Sequence, residues 1–405
     1  MSLETKRYAL ERSRDSSMAN TGGRPNYSSW LEVDLDAIVS NFRYIQEKVN
    51  PTKIIAVIKA NAFSHGQKMV AQALAEAGAW MFGVSNFRES TYLRDFGIEQ
   101  DILVMNGLLP EEMKIAVERN VCFFVYDKQS LEAANRAGEE VGKKARVHFK
   151  VDTGMGRLGV LPKDAESLAR TAAGLKWLSL EGVGTHLASA HNIEHDWFTK
   201  RQHDLFQKAA SVLDPEHTMI WHFSASSGVL RFDETYHDAV RFQSILYGVS
   251  QIKPIPWPLK PAAQFKARVV QVKQLPEGHN VGYSLYYTTP RETTLAIVPV
   301  GVVDGILKSH PDGGSVLIRG HKCRIVGTCA CEMMVDATGT GVEVGDEVVM
   351  YGKQGDKFVS CDEFAEGGGG IYADIMMRIP PRVPRVYIKD GEAVAVELFC
   401  ELSEV

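Results

Sequence analysis

Between residues 54 and 242, short continuous apolar runs alternate with segments whose apolar positions recur at helical spacing. The runs are Ile54–Ile58, Met81–Val84, Ile102–Met105, Cys122–Val125, Val147–Val151, Leu178–Val183, Met219–His222 and Ala239–Phe242. Most are rich in β-branched or aromatic residues and too short for helices, which is the pattern of a strand covered on both faces. Amphipathic segments such as Gln67–Ala77, Met113–Arg119, Leu131–Val141 and Trp197–Val212 lie between them. Strands alternating with helices predict parallel βαβ units. Eight strands over about 190 residues, with no G-x-G-x-x-G after the first, predict a (β/α)8 TIM-like barrel rather than an open sheet.

The texture changes near Tyr247. Helical periods give way to β-rich runs, among them Phe265–Val272, Thr294–Val300, Ser315–Ile318, Glu347–Tyr351 and Ala393–Leu398, divided by turns such as Pro276-Glu-Gly278, Asp312-Gly-Gly314 and Gly339-Thr-Gly341. This predicts a C-terminal all-β domain after the α/β barrel. Ile371–Arg378 reads equally as a short helix or a strand, and the four glycines Gly367–Gly370 before it read as a connector. Trp30–Asp34 alternates like a strand, and Asp36 is placed to cap a helix running to Val49. The expected division is a tail over 1–29, a barrel over 30–246 and a β domain over 247–405.

Composition narrows the class without changing the fold. Apolar residues make up 45% and charged residues 23% of the 405, ordinary for a globular protein. A net charge of −5 gives no reason to expect nucleic acid or an anionic membrane as partner. Six cysteines, Cys122, Cys323, Cys329, Cys331, Cys361 and Cys400, are spread thinly, as for reduced thiols in a cytoplasm. Cys329 and Cys331 form C-x-C with no second pair at zinc-site spacing, so no metal is expected. The first 29 residues are polar, with Arg12, Arg14, Asp15 and Gly22-Gly23, and lack the apolar core of a signal peptide; no run of ~18 apolar residues occurs. A cytoplasmic protein with a poorly ordered tail is expected.

The candidate chemistry sits where the predicted barrel strands end, the rim on which such barrels carry their sites. Lys59 follows the first strand, and Arg157 follows the strand ending near Lys150-Val-Asp152. His186 follows Gly182-Val-Gly-Thr185, Ser226 follows His222-Phe-Ser224, and Arg241 lies in the last strand. Singly, each has an ordinary explanation: Lys59 capping a strand in solvent, Arg157 paired with a surface carboxylate, His186 a satisfied structural histidine. Together, a lysine, a histidine, two arginines and a serine aimed at one rim suit an anionic, aromatic cofactor.

The run A-V-I-K-A-N-A-F-S-H-G, Ala56 to Gly66, closely resembles the pyridoxal-lysine signature of the alanine racemase family. V-D-T-G-M-G-R-L-G (Val151–Gly159), V-G-T-H-L-A (Val183–Ala188), V-R-F-Q-S-I-L-Y-G (Val240–Gly248), V-G-Y-S (Val281–Ser284), V-G-V-V-D-G (Val300–Gly305) and R-I-P-P-R-V-P-R-V-Y (Arg378–Tyr387) also resemble segments of that family, in its order. The resemblance implies a pyridoxal 5′-phosphate barrel, a C-terminal β domain, and a head-to-tail homodimer with shared active sites. It implies that Lys59 carries the cofactor and serves one face of the substrate, with Tyr283 from the partner subunit serving the other. His186 would neighbour that tyrosine, Arg241 would face the pyridine nitrogen, and Ser226 with amides near Gln243 and Ser244 would hold the phosphate. Arg157 would contact the cofactor's phenolic oxygen and the substrate carboxylate, and Lys150 matches a lysine often carbamylated to orient that arginine. The implied reaction interconverts L- and D-alanine, supplying D-alanine for peptidoglycan.

Several matched positions depart from the family pattern. Phe63 stands in place of a tyrosine that reaches the phosphate, with Ser64 beside it also unusual. Gln243 replaces a glycine, and Val302 replaces a tyrosine at the entrance. Ala330 and Cys331 fall where Met-Asp is common near the substrate carboxylate. Ala373 falls on a pocket tyrosine, with Tyr372 one residue off and able to fill that role. A wider pocket taking serine, lysine or other larger amino acids is the alternative these changes raise, since a methylene or two is worth only ~1–3 kcal/mol of discrimination. A basic amino-acid decarboxylase of the same architecture, and a pyridoxal-carrier protein built on the barrel alone, complete the competing readings.

Overall fold

The computed structural model describes residues 27–307 and 314–398. The tail before Tyr27, the first two residues of the turn at Asp312-Gly-Gly314, and Cys400 lie outside the described residues.

By internal contacts the chain divides into two units, one of residues 37–62 and 67–261 and the other of residues 27–36, 63–66 and 262 onward. In the first, strands β2 (Lys53–Val57), β3 (Met81–Val84), β4 (Asp101–Val104), β5 (Cys122–Val125), β6 (Ala145–Lys150), β7 (Leu178–Gly184), β8 (Ile220–His222) and β9 (Ala239–Phe242) pair in sequence as a closed barrel. Every pairing is parallel, including β9 to β2, which closes the ring through Ile55↔Arg241. Ile55, Met81, Leu103, Cys122, Phe124 and Ala239 form one buried apolar cluster. Helices connect the strands, among them Gln67–Glu76, Phe87–Asp95, Pro110–Glu118, Lys128–Val141 and Asp196–Leu213. Their ends follow local chemistry. Asn86 and Asp127 cap helices with side-chain oxygens, and Gly142 ends one in the left-handed conformation that glycine adopts without cost.

The second unit is built on an eleven-stranded sheet. Its order includes β10 (Ala263–Arg268), β1 (Ser29–Asp34) and Arg385–Lys389 as neighbours. Strand β1 therefore differs from the expected division at residue 30. It pairs antiparallel with β10 and parallel with Arg385–Lys389, because its alternation suits a sheet with one covered face rather than a barrel stave. The helix after it starts at Leu35, so Asp36 sits in the first turn rather than at the cap, and its carboxylate accepts the Asp390 amide at 2.6 Å. Within Ile371–Arg378 the chain forms a short helix, Tyr372–Met376. Phe63–Gly66 counts with this unit, where the buried Arg385 donates to the Ser64 carbonyl at 2.8 Å.

Candidate active site

Lys59 leaves β2 directly into a left-handed turn. Ala60, Asn61 and Ala62 have φ of 55°, 52° and 54°, and Phe63 and Ser64 stay positive as well. Non-glycine residues rarely hold that region, at roughly 1–2 kcal/mol each, so the surroundings must impose it. Asn61 Oδ1 accepts the Gln67 amide at 2.7 Å, tying the turn to the next helix. Burial first, and then Arg157, lower the pKa of Lys59, while Glu89 opposes them. More of the amine is therefore neutral near pH 7 than for an ordinary lysine.

Arg157 is placed by its own loop. The Asp152 carboxylate accepts the amides of Gly154 (3.0 Å), Met155 (2.8 Å), Gly156 (3.1 Å) and Arg157 (2.9 Å). These bonds outweigh the cost of burying the carboxylate, and its pKa falls below the usual range. Gly154 has φ of 131°, and a side chain there would also meet the Phe198 ring. Lys150, at the end of β6, is buried with Nζ 4.8 Å from the Phe124 ring centroid. Burial, then Arg241 and Arg157, push its pKa well down.

Arg241 lies fully inside the barrel. Its guanidinium donates to the carbonyls of Thr185 (2.5 Å) and His222 (2.6 Å), and to Nδ1 of His222. Burial and Arg157 lower its pKa only to about 10, so it stays charged. A guanidinium cannot accept, so His222 carries its proton on Nε2 and donates to Nδ1 of His148 at 2.9 Å. His148 then keeps its own proton on Nε2. Burial holds His222 well below the usual histidine range and His148 at about 4. His148 also groups with Cys122 and Glu181, one donor atom of each within 4.8 Å of the others. With Nδ1 accepting and Nε2 protonated, His148 has no lone pair for a metal ion, and Glu181 is engaged by Arg146 at 2.9 and 3.0 Å.

His186 is steadied through its backbone. Gln202, fully buried on the helix Asp196–Leu213, donates to the His186 carbonyl at 3.0 Å and to Thr153 Oγ1 at 3.1 Å. Burial, then Lys150, Arg241, Arg157 and Lys59, hold the His186 ring neutral. Ser226 opens the short helix Ser226–Arg231, and its Oγ accepts the Gln243 amide at 3.1 Å, leaving its proton to donate. Ser244 is buried at the next turn. The structure thus gathers Lys59, Lys150, Arg157, His186 and Arg241 closely enough that each of the other four depresses His186.

The remaining sequence candidates lie in the second unit. Tyr283 is 73% exposed on a turn with Leu285 (68%) and Tyr286 (62%). Ala330 and Cys331 lie in an exposed turn, where the carbonyls of Cys329 and Ala330 accept the amides of Val302 and Val303. Arg382 binds Asp304 Oδ1 through Nε (2.8 Å) and Nη2 (2.6 Å), and a bond to Cys331 also raises its pKa. Tyr372 is buried and Ala373 half-buried at the start of the helix Tyr372–Met376.

Sequence reasoning passed over Asp152, Glu89, His148 and His222. The first was legible as an aspartate heading a glycine-rich turn, the second as the third residue after an Asn cap. The two histidines were polar positions within strand runs, His148 sharing a strand face with Lys150 by the two-residue alternation.

A closed parallel barrel with an amine and two guanidiniums at its strand ends, in one chain with a mainly antiparallel sheet, defines a lysine-dependent cofactor enzyme of the barrel class. Residues 33–251 match the N-terminal domain of alanine racemase and 262–387 its C-terminal domain. The alanine racemase of Symbiobacterium thermophilum is 36% identical over 372 residues, covering 90% of this chain and 98% of the relative. Alanine racemase 2 of Caldanaerobacter subterraneus is 34% identical, covering 92% and 98%. Among solved structures, the Bacillus anthracis alanine racemase with bound L-Ala-P superposes with a TM-score of 0.85 at 34% identity, covering 92% of this chain and 98% of that one. The Bartonella henselae alanine racemase with covalently bound pyridoxal phosphate gives 0.81 at 28% identity, covering 89% and 100%. The chain belongs to the alanine racemase family. It is an amino-acid racemase, an isomerase. Among the described residues no helix is long and apolar enough to cross a membrane.

Proposed function

We propose that this chain interconverts L- and D-alanine by a two-base route, with Lys59 and the partner subunit's Tyr283 on opposite faces of the substrate. The reaction is pyridoxal-phosphate-dependent alanine racemisation, and the observation that carries it is the cationic cluster around Lys59. Arg157 disfavours the charge of Lys59, Lys150 and His186, and Lys150, Arg241 and Lys59 also disfavour that of His186; a ligand bearing a phosphate, a phenolic oxygen and a carboxylate would relieve that. The donor set therefore fits the cofactor.

Bound pyridoxal phosphate supplies the electron-withdrawing ring that makes the alanine Cα proton removable. The chain's own residues do the rest. Lys59, with its depressed pKa, both attaches the cofactor and moves the proton on the D-face. Tyr283 Oη moves it on the L-face, with His186 as its neighbour. Arg157 binds the substrate carboxylate through its planar fork, held by Asp152 and oriented by a carbamylated Lys150. Arg241, which keeps its proton, would lie against the ring nitrogen, where a permanent donor would leave the ring a weaker electron sink and limit side reactions. Ser226 and the amides at Gln243 and Ser244 would hold the phosphate.

Supporting the shared site, Tyr283, Leu285 and Tyr286 present three large exposed side chains on one turn, as an isologous dimer contact would use. None of the five described cysteines is in a disulfide, which suits the cytoplasm, and the product would feed peptidoglycan synthesis. Relatives named for alanine weigh against the broader racemase and the decarboxylase. The test incubates purified protein with single L-amino acids and follows optical rotation. Loss of rotation with alanine, and little with serine or lysine, is expected. Turnover of lysine exceeding that of alanine, or carbon dioxide released from ornithine or arginine, would overturn the assignment.

A further inference from the structure

The peptide group joining Lys59 to Ala60 is held at both ends. Its N–H donates to Glu89 Oε1 at 2.7 Å, and its carbonyl accepts from Gln243 Nε2 at 3.3 Å. Glu89 is the third residue of the helix after β3, and Gln243 directly follows β9. Those two strands are the barrel neighbours of β2, so the grips come from either side of the strand that delivers Lys59.

Both grips are themselves fixed. Glu89 Oε2 accepts from Ser85 N (2.7 Å) and Ser85 Oγ (2.8 Å), and the Glu89 amide is capped by Asn86 Oδ1 at 3.0 Å. The Gln243 amide donates to Ser226 Oγ, so one residue touches both the lysine's peptide and the serine read as a phosphate ligand. The held peptide stands where the chain switches to left-handed geometry, with Ala60 at φ 55° and ψ 52°. Rotation of that peptide would swing the Lys59 side chain with it.

We propose that Glu89 and Gln243 form a two-sided clamp that aims Lys59, acting as positioning residues that do not touch the substrate. Glu89 adds charge to geometry. It faces Lys59 together with Arg157, and Lys150 and His186 also sense the Lys59 charge; Glu89 favours the protonated Lys59 amine, against burial and Arg157.

The inference rests on Lys59 being the cofactor lysine, and its test reads the clamp apart from turnover. Cofactor-free protein is treated with trinitrobenzenesulfonate from neutral to alkaline pH, and modification of the Lys59 peptide is followed by mass spectrometry. Glu89→Gln moves the midpoint of Lys59 labelling to lower pH, whereas the uncharged change Gln243→Ala leaves it in place. In the cofactor-loaded enzyme both substitutions lower kcat by about tenfold or more, with KM for alanine changed less than about threefold. An unmoved labelling midpoint in Glu89→Gln, or full kcat in Gln243→Ala, overturns the clamp. Should Glu89→Gln fail to fold by circular dichroism, kcat of Gln243→Ala decides, its folding checked by the same spectrum. A failure of the cofactor assignment shows separately, as bound cofactor surviving Lys59→Ala.

Discussion

His222 Nε2 donates to His148 Nδ1 at 2.9 Å inside the barrel, two neutral imidazoles in series behind Arg241. Their order is dictated from one end. Arg241 can only donate, so each ring must pass its proton away from the guanidinium, and neither ring can take a second proton without breaking the chain.

A pH dependence of stability follows. His148 has a pKa near 4 when folded and an ordinary one, about 6.5, when unfolded. Above pH 6.5 both states are neutral and nothing is lost. Between 6.5 and 4 the unfolded chain binds a proton that the folded chain refuses, so stability falls as pH falls. The loss at pH 4 is on the order of 3 kcal/mol for His148, and His222 shifts in the same direction. Urea unfolding at pH 7 and pH 5 measures this. His148→Asn should flatten part of the slope, and an identical slope in that variant would disprove the assignment.

Asp152 holds four amides of the loop that carries Arg157, and only Oδ2 serves Arg157 itself. Asp152→Asn leaves a nearly isosteric side chain that cannot accept on both sides, so at least one amide loses its partner. With Arg157 displaced, kcat/KM for alanine should fall by roughly 10- to 100-fold, chiefly through KM, because Arg157 is read as the carboxylate ligand. Steady-state kinetics decide this, and an unaltered KM would detach Asp152 from substrate binding.

The barrel was readable because each of its eight strands is a largely apolar run of its own. The contacts that tune the rim were not, since they join distant residues through groups that look ordinary in sequence. Ala60 meets Glu89 across two strand ends, Gln243 meets Lys59 across the barrel's closing seam, and Arg385 meets Ser64 across 321 positions. Strands such as His321–Thr328 and Met333–Asp336 also escaped notice. The first interleaves exposed His321, Lys322 and Arg324 with Cys323 and Ile325, which reads as surface until its partners cover one face. Strand β1 was legible as a strand but not by partner, because pairing with a segment some 350 residues later leaves no local trace.

Lys150 offers a second chemical test. Burial and two arginines disfavour its ammonium form, and the neutral amine they favour is the form that adds carbon dioxide. The resulting carbamate would be an anion among Arg157 and Arg241, which its surroundings favour. Protein equilibrated with 13C-bicarbonate should show one carbamate resonance that Lys150→Arg removes. The same variant should lose activity, since a guanidinium there repels Arg157. Retention of the resonance would place the carbamate elsewhere.

The shared-site proposal makes a prediction that neither single variant can make. Lys59→Ala should lose both cofactor attachment and turnover, whereas Tyr283→Phe should keep the cofactor and lose most turnover. Mixed, unfolded and refolded together, the two inactive chains should recover activity. A mixed dimer pairs the intact Lys59 of one chain with the intact Tyr283 of its partner, giving one complete site and one doubly defective site. With random reassociation half the dimers are mixed, so roughly a quarter of wild-type activity should return. If Tyr283 instead served its own chain's Lys59, no pairing would restore a site and the mixture would stay inactive.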